Sequence, residues 1–316
     1  MILVCGEELI DLFVQVRPDG SLATEPVLGG SPYNVAIGLA RLGSRTGFFS
    51  GLSKDAFGVA LTRALEKEGV DLAHAPRLDN PTTLVIVSVD AAGVPTYRFI
   101  GEGAADRAIT LKDLPPKLPA EVKAITFGSL SMGIEPTGSS FLALANREKG
   151  ERVISIDPNL RASVVGDLGK WRARLEAFIA CANQVKVSIE DIEGTYGASA
   201  SVDEIAQAWL KRGPSLVVVT YGDKGSVAFH AAGHKIETAG RKVKVIDTVG
   251  AGDTFHAALL NHFERTKVLT PQGLAGLAPD NLRDALNYAT AAAAVTCTRR
   301  GADMPRAADV EAELAR

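Results

Sequence analysis

The sequence predicts an α/β protein in which helices cover both faces of a mostly parallel β-sheet. Short apolar runs rich in β-branched residues alternate with stretches of helical periodicity, a pattern typical of this class. Two pairs of strand-like runs, each joined by a turn sequence, interrupt the alternation and predict a small additional sheet. The chain has 316 residues, of which 46% are hydrophobic and 22% charged, enough apolar material for one large core or two modest ones.

Six apolar runs are the candidate strands of the main sheet. Each lies between stretches of helical periodicity, as the strands of a helix-covered parallel sheet do. The six runs cover residues 2–5, 45–50, 124–127, 153–156, 184–187 and 216–220.

The first predicted helix begins at Ser31, a capping residue followed by proline at the first helical position. Val35, Leu39 and Leu42 fall on one face of this helix, and Gly43 ends it. Six further helices have faces amphipathic enough to pack against a sheet. They cover residues at about 56–67, 136–149, 171–182, 202–211, 252–263 and 282–297.

Two predicted hairpins, at about residues 9–28 and 83–101, interrupt the main pattern. In each, two strand-like runs flank a turn that ends in glycine, at residues 17–20 and 90–93. We expect them to form a small sheet that stands off the body as a lid over a substrate cleft, where closure excludes water. Two hairpins without a functional role are the alternative. The chain as a whole, residues 1–316, is expected to form a single domain.

Composition and charge argue against several classes of protein. The 34 lysines and arginines against 37 acidic residues give a formal net charge of −3, without long runs of one sign, so no nucleic-acid partner is expected. Cys5, Cys181 and Cys297 form no CxxC pair, which argues against a disulfide framework or a thiolate metal site. The apolar start has no basic leader, and no apolar run reaches the length of a membrane span, so we expect a cytoplasmic protein.

Several familiar catalytic motifs are absent. Gly169-Lys170 is followed by Trp171 rather than Ser or Thr, and no HRD or DFG triplet occurs, which excludes P-loop and protein-kinase mechanisms. No GxGxxG follows the first strand, and residues 128–133 miss the GxSxG elbow of serine hydrolases by one position. The five histidines form no helical i, i+4 pair, so surface or packing roles are expected for them.

The segment 247–255 carries the strongest chemical signal. Gly250, Ala251 and Gly252 allow a tight turn at the start of a helix, which leaves backbone N–H groups free to bind an anion. Asp253, in the first helical turn, is placed to take a proton from an alcohol while those N–H groups stabilise a transferring phosphoryl group. The alternative is that Asp253 only caps the helix and the glycines only turn the chain.

A second glycine-rich segment joins the first hairpin to the first helix. Gly29 and Gly30 allow close approach of the backbone to a ligand, and Asn34 offers a donor and an acceptor for the hydroxyl groups of a polyol. Asp11, soon after the first strand, can accept hydrogen bonds from two neighbouring hydroxyls. A solvated acid at a strand end is the alternative for Asp11.

The two glycine-rich segments together resemble the signatures of the ribokinase-like (PfkB) carbohydrate kinase family. Residues 29–36 are similar to the first signature and residues 247–253 to the second, and the intervening pattern fits along nearly the whole chain. The resemblance implies a ribokinase-like three-layer α/β sandwich with a small β-sheet lid, ATP as phosphoryl donor, Mg²⁺, and transfer to a sugar hydroxyl. It also implies Asp253 as the catalytic base and residues 250–252 as the anion hole.

Within this family the chain most resembles the fructokinase branch. Residues 101–107, 127–130 and 157–161 carry the similarity, which implies fructose as substrate and fructose 6-phosphate as product. Arg161 follows the C-terminal end of a predicted strand, where α/β sheets place ligands. By the same resemblance the residues that line the sugar pocket are Asp11, Gly29, Gly30, Asn34, Arg98 and Arg161.

Other functions remain as alternatives. The 2-keto-3-deoxygluconate kinases carry a segment similar to 157–161 and a pair like Tyr97-Arg98, and an arginine suits the carboxylate of an acid sugar. Ribokinases and nucleoside kinases come next, and Phe13, Tyr97 and Phe99 would supply the shelf that a nucleobase needs. A non-catalytic sugar-binding or regulatory module on the same fold is an alternative of a different class.

The resemblance also implies a nucleotide site. Thr220, Gly222 and Gly225, in the turn after a predicted strand, would contact the phosphates and ribose of ATP. The C-terminal helix that carries Asn287 and Ala291 resembles the adenine wall of the family, with ordinary core packing as the alternative.

Metal ions and a partner subunit are implied as well. The family's Asn-x-x-Glu motif, linked to Mg²⁺ through waters, appears here at residues 188–191 with a shorter acid, so either Glu190 or Asp191 would serve. A monovalent cation such as K⁺ would lie at Asp247 and the backbone around Val249 and Gly301. Because exposed strands of a lid invite pairing, a homodimer through the lid is expected.

Overall fold

The computed structural model describes residues 1–89, 95–161 and 165–316, and an eight-stranded sheet lies at its centre. In spatial order its strands are β14 (Lys235–Thr238), β13 (Ser226–His230), β12 (Leu216–Thr220), β11 (Gln184–Ser188), β10 (Val153–Asp157), β9 (Ala124–Gly128), β1 (Ile2–Cys5) and β4 (Thr46–Phe49). The pairings from β12 to β4 are parallel, whereas β13 pairs antiparallel with both neighbours. The prediction of a mostly parallel sheet is confirmed.

Helices cover both faces of this sheet. They are α1 (Ser31–Arg41), α2 (Ala56–Lys67), α3 (Thr137–Glu148), α4 (Leu168–Ile179), α5 (Ile189–Tyr196), α6 (Val202–Leu210), α7 (Ala251–Arg265), α8 (Pro271–Ala275), α9 (Pro279–Cys297) and α10 (Ala307–Leu314). Successive residues of a strand point to opposite faces, and the apolar ones build a separate core on each side.

The two cores hold the three layers together. On one face, Val4 of β1 and Leu39 of α1 belong to a core that α7 and α9 share. On the other face, the ring of Phe127 in β9 lies 5.7 Å from that of Phe141 in α3 and 5.6 Å from that of Phe178 in α4, between centroids. The three-layer arrangement expected from the resemblance is therefore present.

The two predicted hairpins form one four-stranded sheet. Its spatial order is β3 (Leu22–Gly29), β2 (Leu9–Val16), β7 (Thr83–Val89) and β8 (Pro95–Ile100), and we call this sheet the lid. The hairpins join through a parallel pairing of β2 with β7, in which Asp11 lies opposite Val85. The predicted turn at residues 90–93 lies outside the described residues.

Some elements differ from the sequence prediction. The antiparallel strands β13 and β14 were not predicted, nor were α5, α8, α10 and the short parallel pair of β5 (Leu52–Ser53) with β6 (Arg77–Leu78). Helix α4 begins three residues before the predicted start because the carboxylate of Asp167 caps it, accepting from the N–H groups of Gly169 and Lys170. Helix α9 likewise begins early, at Pro279, since proline suits the first helical turn.

Within the described residues, none of the helices combines the length and the apolar character that crossing a membrane requires.

Candidate active site

The start of α7 is built as an anion-binding turn. Gly250 has φ 77°, a left-handed backbone conformation that favours glycine. A Cβ there would also lie 2.8 Å from the side chains of Ala302 and Met304, so the packing requires glycine as well. The N–H of Ala251 donates to the carbonyl of Thr248 over 3.2 Å. In the part of the chain that the structure describes, the next two N–H groups have no protein acceptor, which leaves them to an anion at the positive end of the helix.

Asp253 lies in this first turn and is fixed by the other glycine-rich segment. Its side chain is buried, and Oδ1 accepts from Ser31 Oγ over 2.7 Å while Oδ2 accepts from Asn34 Nδ2 over 2.8 Å. Among the described residues, the partners of its carboxylate are these two side chains and not an N–H group of α7. The structure therefore gives no support to the alternative that Asp253 serves only as a helix cap.

Burial sets the electrostatics of this carboxylate. Desolvation raises the pKa of Asp253 above its ordinary value, although the hydrogen bonds from Asn34 and Ser31 oppose the rise. A buried carboxylate with a raised pKa binds a proton more tightly than an exposed one, as a general base requires. Two sequence motifs more than 210 residues apart thus meet in one group that can accept a proton.

Close packing places the start of α1 against this group. Gly30 has φ 113°, and a Cβ there would lie 2.8 Å from the carbonyl oxygen of Glu7, so only glycine lets the chain pass from the lid into α1. The first four residues of α1, Ser31 among them, are buried. The turn therefore fixes the two side chains that hold Asp253.

The base of the lid places the predicted sugar ligands beside α1. A Cβ on Gly29 would lie 2.8 Å from Asp11 Oδ2, so Gly29 leaves room for that carboxylate. Burial raises the pKa of Asp11, and the positive charge of Arg161 opposes this rise, which places the two side chains within electrostatic reach. Asp11, Gly29, Gly30 and Asn34 thus lie together, and Arg161 is within electrostatic reach of Asp11.

Arg98 does not join this group. The register pairs Asp11 with Val85 and Val85 with Phe99, so these three side chains share one face of the lid. Arg98 is next to Phe99 in the chain and lies on the opposite face, where it is exposed. The alternation of a β-strand, which a resemblance of short motifs does not take into account, separates Arg98 from the other predicted sugar ligands.

Three of the predicted nucleotide residues lie at or just after the end of β12, and the fourth, Asn287, lies on α9. Gly222 is exposed with φ 58°, and a Cβ there would meet nothing within 4 Å. Gly225, by contrast, is buried, and a Cβ there would lie 2.0 Å from the carbonyl oxygen of Thr238, so β14 requires this glycine. Thr220 ends β12, and Asn287 is exposed on α9, the helix that packs against β14.

The predicted metal ligands lie in two separate places, at the start of α5 and before the start of α7. Asp191 forms a capping box at the start of α5 and accepts from the N–H of Leu160 over 2.7 Å, while Glu190 is exposed. Across the described segments, no three His, Cys, Asp or Glu side chains are grouped as a metal site would require. Asp247 accepts from the N–H groups of Val249 and Gly301 over 3.1 and 2.8 Å, so the three positions predicted for a monovalent cation do lie together.

A buried ion pair that the sequence analysis did not identify lies behind the first turn of α7. Lys186 Nζ donates to Asp157 Oδ2 over 2.8 Å, and each side chain is 4% exposed. Burial alone would raise the pKa of Asp157, but the contacts with Lys186 and His256 together outweigh burial and hold this pKa below its ordinary value. The available signal was a charged residue in a strand whose neighbours, Val185 and Val187, are apolar.

The chain is similar along most of its length to known sugar kinases. Residues 13–308 match the pfkB family of carbohydrate kinases. A fructokinase of Rhizobium leguminosarum bv. trifolii is 37% identical over 284 residues, which are 90% of this chain and 86% of that protein.

Two solved structures share the fold. The structure of fructokinase with bound ATP from Xylella fastidiosa matches with a TM-score of 0.91 at 25% identity, over 99% of this chain and 98% of that one. A double mutant of the Vibrio cholerae O395 fructokinase, in a fructose-, ADP- and potassium-bound form, matches with a TM-score of 0.83 at 28% identity, over 99% and 97%.

Proposed function

The chain belongs to the pfkB family of carbohydrate kinases, so it is a phosphotransferase that acts on a sugar hydroxyl, and on that premise we propose that it is an ATP-dependent fructokinase. The reaction transfers the γ-phosphoryl group of ATP to fructose and gives fructose 6-phosphate and ADP. The observation that carries the proposal is the fixed Asp253 carboxylate beside the free N–H groups at the start of α7.

Asp253 is the proposed general base. Each of its oxygens accepts one hydrogen bond from the protein, and a carboxylate offers about four acceptor positions, so about two remain, of which one can serve the hydroxyl of the sugar. Removal of the proton as the oxygen attacks phosphorus gives a rate gain of about 10²–10⁴-fold. Ser31 and Asn34 hold the carboxylate in place and leave it no freedom to turn away.

The N–H groups of Gly252 and Asp253 are the proposed anion hole, in place of the predicted residues 250–252, because the N–H of Ala251 donates to Thr248. They are fixed by the helix before the reaction begins, so they stabilise the charge of the transferring phosphoryl group without rearranging. Residue 250 makes this possible because its left-handed conformation turns the chain into α7. The lid excludes water, which would otherwise compete with the sugar as acceptor.

The sugar would lie between the base of the lid and Arg161. Asn34 uses Nδ2 to hold Asp253, which leaves Oδ1 to accept from a sugar hydroxyl. Asp11 can accept from two adjacent hydroxyls. The charges of Asp11 and Arg161 offset each other, which favours an uncharged sugar over an acid sugar such as 2-keto-3-deoxygluconate.

A nucleoside is the second candidate substrate. Phe13 and Tyr97 lie on the Asp11 face of the lid, and their side chains are 42% and 57% exposed. Exposed aromatic rings facing a cleft would stack on a flat base. This surface is the observation that keeps a nucleoside kinase among the functions to be tested.

ATP would approach from the end of β12. The exposed Gly222 turn and Asn287 are the proposed contacts, while Thr220 lies at the edge of the same region and Gly225 shapes the turn.

Since the described residues form no metal cage, Mg²⁺ would arrive with the triphosphate and keep several waters, with Glu190 or Asp191 as outer partners. Such an ion offsets phosphate charge. Asp247 is the proposed place for K⁺.

The exposed face of the lid is the proposed dimer interface. Val16, Leu22 and Ile100 lie on the face opposite Asp11 and are 69%, 61% and 49% exposed. Covering such a face and its strand edges with a second subunit would remove them from water. Analytical ultracentrifugation tests the dimer, and cell fractionation tests the expected cytoplasmic location.

An ADP-release assay with a panel of acceptors tests the proposed function. Fructose, glucose, ribose, 2-keto-3-deoxygluconate and adenosine are compared with ATP and Mg²⁺, and fructose is expected to give the highest kcat/KM. A higher value for another acceptor would replace the proposed substrate. Sugar binding by calorimetry without any ADP release would show a non-catalytic module.

Two arginine variants supply a matched control for the sugar pocket. Arg161→Ala is expected to raise KM for fructose by about tenfold or more, the usual cost of one charged hydrogen bond. Arg98→Ala is expected to leave KM within about twofold, because Arg98 lies on the other face of the lid. Equal effects of the two variants would contradict the proposed pocket.

A further inference from the structure

Lys186 has no part in the mechanism described so far, although its position is unusual for a lysine. It lies in the middle of β11, where Val185 and Val187 face the α3 and α4 layer and Lys186 faces α7. The charged side chain is almost completely buried. Burial of an ammonium group is unfavourable unless partners compensate it, so the contacts of Lys186 indicate what it does.

The ammonium group of Lys186 is directed to the start of α7. A Cβ on Gly252 would lie 3.2 Å from Nζ, so the ammonium is packed against the residue whose N–H forms the anion hole. Among the described residues it makes one hydrogen bond, to Asp157, and an ammonium has three N–H groups to offer. Its charge therefore adds to the positive end of the helix at the place where the phosphoryl group would be held.

A network from three elements fixes this position. Asp157 of β10 receives the hydrogen bond, and His256 Nδ1 lies 3.6 Å from the same carboxylate oxygen. His256 is four residues after Gly252, so both lie on the face of α7 that meets the sheet. Its other nitrogen, Nε2, lies 2.9 Å from Ser155 Oγ and 3.2 Å from Thr126 Oγ1.

The local balance of charge shows why a cation is needed there. The carboxylates of Asp157, Asp191 and Asp253 all lie within electrostatic reach of Lys186. A triphosphate that approaches the start of α7 would meet these negative charges, and like charges disfavour one another. Lys186 is a buried cation that offsets these charges and is packed against Gly252 of the anion hole.

We propose that Lys186 is a catalytic residue whose ammonium, held by Asp157, forms the floor of the anion hole and contacts the phosphoryl group during its transfer. The bond from phosphorus to ADP breaks, the bond to the sugar oxygen forms, and the hydroxyl proton goes to Asp253. Lys186 keeps its proton throughout. The inference rests on the proposed kinase function and names a further residue of that same site.

A pair of variants separates catalysis from structure. The single variant Lys186→Met leaves the buried carboxylate of Asp157 without its partner. The double variant, Asp157→Asn with Lys186→Met, leaves neither charge buried, so it is expected to keep the melting temperature of the wild type. Both are expected to lower kcat by about 10²–10³-fold, the usual cost of one anion-hole donor, with KM for the sugar within about threefold. A structural ion pair predicts instead that the double variant recovers wild-type kcat, which would overturn the proposal.

A binding measurement gives a readout that does not depend on turnover. ADP with aluminium fluoride imitates the planar phosphoryl group, so the wild type is expected to bind it more tightly than ADP alone in the presence of the sugar. The double variant is expected to lose about 100-fold of this preference and to bind ADP unchanged. An unchanged preference would overturn the proposal for Lys186. If another acceptor in the panel gave the highest kcat/KM, only the proposal of fructose as substrate would fail. The proposal for Lys186 would still be tested, because the binding assay would then use that acceptor.

Discussion

Two groups of buried carboxylates lie close to the start of α1, and only one of them contains a buried lysine. Asp253 and Asp157 share the charge of Lys186 at the start of α7. Glu7, Glu8 and Asp106 lie at the base of the lid, and all three are nearly inaccessible to solvent. The two groups are equally buried, so the difference in their chemistry comes from their neighbours.

The group at the base of the lid is a network of buried carboxyl groups whose pKa values are all raised by desolvation. Burial raises the pKa of Glu8 well above its ordinary value and that of Asp106 to about 7. The charge of Asp106 adds to the rise at Glu8, and the charge of Glu7 adds to the rise at Asp106. Asp106 Oδ1 accepts from Thr83 Oγ1 over 2.6 Å, and Glu7 accepts from Ser131. These acids lie where the chain passes between the body and the lid, and they join the two parts.

The comparison shows what distinguishes a catalytic acid from a structural one in this fold. Burial makes a carboxyl neutral, and a neutral carboxyl serves as a hydrogen-bonding link. A nearby cation opposes this effect of burial in both groups, Lys186 at Asp253 and Arg107 at Asp106. The difference is that Asp253 lies at the proposed anion hole, where an ionised carboxylate can act as a base.

The largest effect is expected for Asp253→Asn. The amide keeps the shape and the contact with Ser31 but cannot take a proton, so kcat is expected to fall by about 10²–10⁴-fold with the melting temperature little changed. Glu8→Gln is the matched change in the other group, and steady-state kinetics should show kcat within about threefold of the wild type. Equal losses in the two variants would remove the distinction between the groups.

A smaller effect is expected when one hydrogen-bond donor to each group is removed. Asp253 must be ionised to act, so activity falls as pH decreases through its pKa, which burial has raised. Ser31→Ala removes a bond that lowers this pKa, so the acid limb of the kcat/KM profile should move to higher pH, with a loss of about tenfold or less at pH 8.

Thr83→Val removes the matched donor to Asp106. It should leave the acid limb where the wild type has it, because Asp106 is not part of the reaction. If the acid limb shifted in Thr83→Val, or did not shift in Ser31→Ala, the limb would reflect the titration of a group other than Asp253.

The third effect concerns stability rather than activity. The folded chain holds a proton on Asp106 up to its pKa of about 7, whereas an unfolded aspartic acid releases it at about 3.9. The stabilisation is therefore complete below about pH 4 and is lost as pH rises to 7. Asp106→Asn keeps an acceptor for Thr83 and has no such loss, so urea unfolding should show it more stable than the wild type at pH 8, by on the order of 4 kcal/mol.

Asp79→Asn is the control for this measurement. Its side chain is 90% exposed, so the free energy of unfolding should change by less than about 0.5 kcal/mol at either pH. If Asp106→Asn gave the same pH dependence as the wild type, another group would be responsible for it.

The sequence predicted the parts of the site that local patterns encode. Glycines at 250 and 252 before an acid indicate a helix start open to an anion, and the pair of Gly29 and Gly30 before Asn34 indicates close backbone approach. The structure shows that Asp253 and Asn34 are hydrogen-bonded to each other. The six parallel strands were predicted for the same reason, since each is a short apolar run between helices.

The parts that were missed depend on contacts between distant segments. Lys186 becomes meaningful only when β11, β10 and α7 are packed together, because its partners come from residues 157, 252 and 256. Arg98 was placed in the pocket by resemblance, whereas the pairing of β7 with β8 puts it on the other face of the lid. Register and partner charges are properties of the assembled sheet, and a single strand does not contain them.

A crystal structure of the chain with fructose and a non-hydrolysable ATP analogue tests the central claim most directly. The account predicts that the acceptor hydroxyl lies about 2.6–3.2 Å from the Asp253 carboxylate, with the terminal phosphate on the N–H groups of Gly252 and Asp253. An acceptor hydroxyl bound at the base of the lid, out of reach of Asp253, would contradict it.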